Sequence, residues 1–395
     1  MIRARLANLR YLAFAVLFLA LAACACEVGL RVHTVLYPSL QQIHSADQLL
    51  IKSTSTFHEL RPCQSVEVLP SGDRQPVMLS TNSLGMRGPE PVVPKPDGVF
   101  RIVCLGDEAV LAADVDQSET FCERLQVLMG KQTQRPVEVI NAGIPGYCPI
   151  LSYLQFRSKL QGLQADVVLL QFDMSDVFNA SIYRRYTLVD RRAGSISCPH
   201  PGIQPASGGS WQGWYREFRT IRWCFDRLGH VVADTPEAEV GVAGAGLAQY
   251  QWLKQETGIW QQDLEFALSP IADLKQLTAA AGAQLVVSVV PTPWQLAYQL
   301  RGAAEGGRDH PALGRRPFDM LETYLKSRQI LYLDASASFM RSSSPRQLFL
   351  SAVPRLSPQG HALLARQLNS CLLRNVPTLR VQRVAHGSAS RGSAH

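Results

Sequence analysis

The chain is predicted to fold as a three-layer α/β/α sandwich around a central parallel sheet. Three observations carry that prediction. Four apolar, β-prone runs at 101–105, 137–140, 166–172 and 284–290 each stop on a turn former or a carboxylate: Gly106, Asn141, Asp173 and Pro291. The segments between them hold apolar residues at helical spacing, as in Phe121, Leu125 and Leu128. Strand, loop and helix alternate, the order of a parallel sheet whose crossover helices cover both faces.

Taken in order, the chain opens with Arg3, Arg5 and Arg10 beside a nearly unbroken apolar run from Tyr11 to Cys26. A positive flank before such a run predicts a signal anchor over 1–30, with the remainder outside the cytoplasm. Apolar character resumes at Val28-Gly29-Leu30, which extends the run toward spanning length. Three alternatives stay open: a lipoprotein signal at Leu21-Ala22-Ala23-Cys24, an ordinary cleaved signal, and a buried helix of a soluble protein. Residues 31–96 are read as a stalk and lead-in, with short edge strands at 65–70 and 77–79 and a stiff linker from Pro89 to Pro96.

The main domain is predicted over 97–375. After the first strand come a helix at 119–129 ended by Gly130, the strand at 137–140, a helix at 151–160 and the strand at 166–172. An insertion or lid is placed at about 180–260; it includes a helix at 212–227 with Trp211, Trp214 and Trp223 nearby and a small-residue linker at 233–246. One helix at 261–280 then leads to the strand at 284–290, which ends in the loop Pro291-Thr292-Pro293-Trp294. A helix at 318–327, a short strand at 330–333, a helix at 362–368 and a disordered tail at 376–395 complete the reading.

Composition limits the function classes. Charged residues make up 18%, and the net charge of +7 comes from scattered arginines, so no nucleic-acid partner is expected. Nine cysteines form no Cys-x-x-Cys pair and no metal-ligand spacing with histidine, and no metal or cofactor is expected. Cys104 and Cys122 read as buried thiols. Cys63, Cys148, Cys198 and Cys224 could pair in an oxidising compartment, with the connectivity open.

The chemistry-bearing residues gather at the predicted strand ends: Asp107 and Glu108 after the first strand, Asp173 and Asp176 after the third, and Trp294 after the fourth. The run Arg101 to Glu108 resembles the first block of the SGNH (GDSL-type) hydrolases, in which Gly-Asp-Ser supplies the nucleophilic serine; Glu108 stands in its place. Asn141-Ala142-Gly143-Ile144-Pro145-Gly146-Tyr147 resembles the second block, which implies that the Gly143 N–H serves an oxyanion hole. Asp173-Met174-Ser175-Asp176 takes the place of the third block, with Ser175 at the oxyanion asparagine and Asp176 matching an aspartate that caps the next turn. Leu356-Ser357-Pro358-Gln359-Gly360-His361 is similar to the end of the fifth block; its catalytic Asp-x-x-His falls on Ala352 and Arg355, and His361 matches the non-catalytic histidine. Thr81 to Gly88 resembles a stretch of a membrane-anchored bacterial branch of that superfamily.

The resemblance implies an esterase whose standard triad these residues contradict. A carboxylate is a weak nucleophile toward esters, and an arginine cannot act as a general base. Three readings of the vacated site are weighed: an inert Glu108–Arg355 ion pair; acid–base or hard-metal chemistry by Asp107, Glu108, Asp173 and Asp176; and Cys148 as a substitute nucleophile with His361. The expectation is a membrane-anchored binding or scaffolding protein of the cell envelope, with an envelope carbohydrate or protein as partner. The alternative is a hydrolase or acyl-transfer enzyme on esters of envelope carbohydrate.

Overall fold

The computed structural model describes residues 41–69, 74–133, 135–190, 194–203, 250–253, 259–305, 314–350 and 355–379, with part of 11–29. The chain divides into one unit of 1–41 with 204–241 and a second of 42–203 with 242–395. In the first, the described residues of 11–29 are helical and expose large apolar side chains, among them Tyr11, Phe14 and Phe18. Among the described residues no helix is long and apolar enough to cross a membrane. The expected helix at 212–227, the linker at 233–246, Cys224 and Ala352 lie outside the described residues.

The second unit is built on five parallel strands. These are β1 (Phe100–Leu105), β2 (Val137–Asn141), β3 (Val167–Phe172), β4 (Gln284–Val289) and β5 (Leu331–Asp334). They lie in the order β5-β4-β3-β1-β2. Every residue of β1 and β3 is buried, which is why both read as mostly apolar runs, broken by Arg101 and Gln171, rather than alternating ones. The helices are α1 (Glu108–Leu111), α2 (Phe121–Thr133), α3 (Pro149–Gln155), α4 (Asp176–Tyr183), α5 (Ile259–Leu268), α6 (Pro270–Ala280), α7 (Pro293–Glu305), α8 (Arg316–Ser327), α9 (Ser336–Met340) and α10 (Pro358–Asn375).

Phe100, Ile102 and Cys104 of β1 pack with Phe121, Leu125 and Met129 of α2 and Leu364, Leu368 and Leu372 of α10 in one apolar cluster. That packing carries α2 through Gly130 to Thr133, against the expected stop. A glycine in a helix interior costs about 1 kcal/mol, which a buried Met129 offsets. The expected single helix at 261–280 is two, because Pro270 has no N–H to give the preceding turn and starts α6 instead. The last helix starts earlier than expected, at Pro358, where the Ser357 hydroxyl accepts from the Gly360 N–H at 3.2 Å, and runs on to Asn375.

From residue 42 the expected stalk is folded onto the second unit. Ser65–Val68 pairs antiparallel with Val77–Ser80, and Leu50–Lys52 with His58–Leu60. Ile43, Phe57, Leu60 and Leu79 are buried. The His58 ring N–H donates to the Pro145 carbonyl at 2.7 Å, and the Tyr147 hydroxyl donates to the His58 carbonyl at 2.8 Å. The lead-in therefore holds the loop after β2, one wall of the sheet edge described next.

Candidate functional site

Strands β1 and β3 are neighbours, paired through Leu105 and Leu170, and each releases a carboxylate just beyond its end. The turn after β1 demands Gly106. Its φ is +148°, and a Cβ there would meet Val110 Cγ2 at 2.6 Å and the Gln171 carbonyl at 2.9 Å. Asp107 follows as the cap of α1, accepting the Ala109 N–H at 2.9 Å on one oxygen and the Ser175 hydroxyl at 3.0 Å on the other. The backbone N–H of Ser175 donates to Asp173 Oδ1 at 2.8 Å, as does the Tyr250 hydroxyl at 2.9 Å. Asp176 accepts the Asp173 N–H at 3.1 Å, a bond back to the turn before α4 rather than to the turn after it.

Asp107, Asp173 and Asp176 are all buried, and Glu108 is partly buried. Burial pushes the Asp107 carboxyl well above the usual carboxylate range, and the nearby Asp173 and Glu108 push it further. Asp176 is driven well up by burial and then by Asp107 and Asp173. Asp173 and Glu108 are raised by burial too, with Arg355 pulling Glu108 back down. Burial and mutual repulsion thus act together to disfavour the charged forms along this edge.

Further contacts around this edge come from elsewhere in the chain. Arg87, buried, donates to the carbonyls of Leu111 and Val115, both at 2.8 Å, and so holds the end of α1. Trp294 lies at the margin, its ring 5.3 Å from that of Tyr250, and Trp252 donates its indole N–H to the Met174 carbonyl at 2.8 Å. Among the described residues no group of three His, Cys, Asp or Glu is placed to hold a metal ion. The hard-metal reading thus has no ligand set among the described residues; both Asp107 oxygens and one oxygen each of Asp173 and Asp176 accept N–H or hydroxyl donors.

No family model matches the chain, and no curated protein matches it. Solved structures do. A lipase/acylhydrolase from Enterococcus faecalis is 12% identical, with 69% of this chain and 95% of that chain covered and a TM-score of 0.35. A catalytic mutant of Axe2, an acetylxylan esterase from Geobacillus stearothermophilus, is 12% identical over 69% and 94%, with a TM-score of 0.38. A GDSL-like lipase from Bacteroides thetaiotaomicron is 11% identical over 70% and 89%, with a TM-score of 0.34.

Against the SGNH pattern, the two expected oxyanion donors are already engaged. The Gly143 N–H donates to Asn141 Oδ1 at 3.1 Å, a correction to the role the resemblance implied; the Asn141 amide in turn donates to the Val110 carbonyl at 2.6 Å and so fixes that acceptor. The Ser175 hydroxyl is given to Asp107. The backbone N–H groups near the Glu108 carboxyl are its own and that of Gly146.

The expected Glu108–Arg355 ion pair is also corrected. Arg355 Nη1 lies 2.7 Å from Asp114 Oδ2, and no Glu108 ion pair forms among the described residues. Asp114 sits in the loop after α1, where Arg74 approaches its other oxygen at 3.9 Å. A guanidinium there keeps part of its surface in water, whereas burial raises the Glu108 carboxyl and so disfavours its charged form. Cys148 is buried at the start of α3, with its thiol pushed well above the usual range by burial, the opposite of an activated nucleophile. His361 is no partner for it: the imidazole stacks on Phe121 at 6.1 Å with Nδ1 unpartnered, and burial lowers its pKa to about 3.

Sequence reading missed Asp114 and Tyr250. Neither carries a local signal, since Asp114 is one loop carboxylate among several and Tyr250 follows a long segment without periodicity.

Proposed function

We propose that this is an SGNH-like domain working outside the cytoplasm in binding or scaffolding, with an envelope carbohydrate or protein as its partner, rather than as a serine esterase. The single observation that carries the reading is the spending of both oxyanion positions. The Gly143 N–H is held by Asn141, and the Ser175 hydroxyl by Asp107. Acyl transfer needs donors aimed at a developing oxyanion as well as an activated nucleophile, and Glu108 replaces that nucleophile. Anchoring through residues 1–30 belongs to the same proposal, supported by the arginine flank and the apolar run.

A second reading is favoured by the raised carboxyls. Glu108 is partly exposed and burial raises its carboxyl, the direction a general acid needs, so hydrolysis or acyl transfer through a carboxylate site is the rival. One set of assays separates the two. The full chain in detergent is treated with a fluorophosphonate probe and offered short-acyl nitrophenyl esters and acetylated sugars. The proposal expects no stoichiometric labelling and no turnover above the uncatalysed rate. Labelling of a single serine would overturn it. Turnover without labelling that disappears in Glu108→Gln would replace it with the carboxylate enzyme.

A further inference from the structure

A second surface of this unit, sharing no residue with the carboxyl edge, has the composition of a ligand site. Helix α10 presents Gln359, Leu363, Arg366 and Gln367 at spacings of four, seven and eight residues, hence on one face. Opposite them runs the segment after α9, where Arg341 is followed by Ser342, Ser343 and Ser344. Together they line a cavity of about 510 Å³. That volume falls in the ordinary range of small-ligand pockets, roughly 300–1,000 Å³.

Its chemistry is one-sided. Two guanidiniums line it and no carboxylate does. Arg341 and Arg366 are both exposed, and neither has an ion-pair partner among the described residues. Other arginines of the same unit are paired, Arg101 with Glu138 and Arg315 with Asp334. Two unpaired guanidinium forks on one cavity suit a carboxylate or phosphate, which they can bind through parallel N–H donors. The remaining lining of serine hydroxyls and glutamine amides offers both donors and acceptors, as a polyol requires, and Leu348 and Leu363 supply apolar contact. We propose that this cavity binds an oxyanion carried on a polyhydroxylated ligand, that is, a phosphorylated or carboxylated sugar, with Arg341 and Arg366 gripping the anionic group.

The test is calorimetric titration of the full chain in detergent with glucose 1-phosphate, glucuronate, neutral glucose and inorganic phosphate, on wild type, Arg341→Ala, Arg366→Ala and the control Arg328→Ala. The expected result is saturable binding of one or both sugar anions, weakened about tenfold or more in each cavity variant and unchanged in the control, as befits loss of a charge-assisted pair. Which of the two sugars binds decides between phosphate and carboxylate. Absence of binding by both sugar anions overturns the proposal, and so does binding that survives both cavity substitutions. Glucose binding as tightly as its phosphate removes the anion from the argument, and phosphate alone binding as tightly removes the sugar. Both arginines are exposed, so the variants are expected to fold, and circular dichroism spectra matching wild type would establish that they do.

Discussion

At Asp107 a backbone role and an electrostatic cost meet in one side chain. The carboxyl caps α1 and receives the Ser175 hydroxyl, yet burial and its acidic neighbours raise its pKa. The folded protein therefore keeps a proton that the unfolded chain has released above about pH 4, and stability falls as pH rises through that window. Asp107→Asn keeps an oxygen for the Ala109 N–H, and the Ser175 hydroxyl can turn from donor to acceptor. Urea denaturation from pH 4 to pH 8 should find the variant close to wild type at the acid end and increasingly more stable toward pH 8. A constant difference across the range would contradict the raised carboxyl. His58 works with the opposite sign. Its pKa is lowered to about 4 by burial, so its contribution is present above the unfolded value of about 6.5 and is lost as pH falls toward 4, roughly 3 kcal/mol in all. His58→Phe should start about 1 kcal/mol below wild type at pH 7, having lost the bond to Pro145, and overtake it by pH 4 to 5. A wild-type advantage that persists at pH 4 would count against this account.

Among the elements, the strands were legible because β1 and β3 are covered on both faces and so are mostly apolar; the exceptions, buried Arg101 and Gln171, are satisfied by Glu138 and Ser288. What composition could not reveal is where tertiary packing overrides a local signal. Gly130 is a good stop taken alone, but α2 is held past it by the apolar contact of Met129 with the cluster that includes α10. The candidate site divides in the same way. Asp107, Glu108, Asp173, Ser175 and Asp176 reach one edge because each lies at or just past the end of β1 or β3. The Arg355–Asp114 pair spans 241 residues, and the direction of the Asn141 side chain is a matter of packing, so neither is written in a local pattern. The β2–α3 loop is a good place to test how closely this edge is packed. A Cβ on Gly143 would come within 2.3 Å of the Leu111 backbone nitrogen and 2.7 Å of Val110 Cβ, against backbone and a β-branched side chain rather than a flexible tip. Gly143→Ala should lower the unfolding free energy by about 1–3 kcal/mol or more and displace α1, visible as a shifted urea midpoint with an unchanged slope. A variant as stable as wild type would show that α1 gives way freely and that the edge is looser than its contacts imply.

For the whole molecule, the question is what the first thirty residues do for the unit that carries both surfaces. Arg3, Arg5 and Arg10 precede an apolar run containing Leu17, Phe18 and Leu21, and these side chains are exposed on a helical segment. A helix with apolar side chains exposed in this way would be a liability in water, since a contiguous apolar surface promotes association. In a bilayer or at its surface the same exposure is favourable, and the arginine flank would fix the N-terminus on the cytoplasmic side. The membrane proposal therefore predicts a simple partition. In cells expressing the full chain, the protein should pellet with membranes and stay there through an alkaline carbonate wash that strips peripheral proteins. The chain lacking residues 1–30 should move to the soluble fraction. Solubility of both forms would defeat the proposal, and so would retention of both, which would assign the attachment to the rest of the chain. A retained full chain whose N-terminus is found by mass spectrometry to be a lipid-modified Cys24 would keep the anchoring but exchange a spanning segment for an acyl one. Protease added outside intact spheroplasts then decides the side, and cleavage of the 42–395 portion is the expected result.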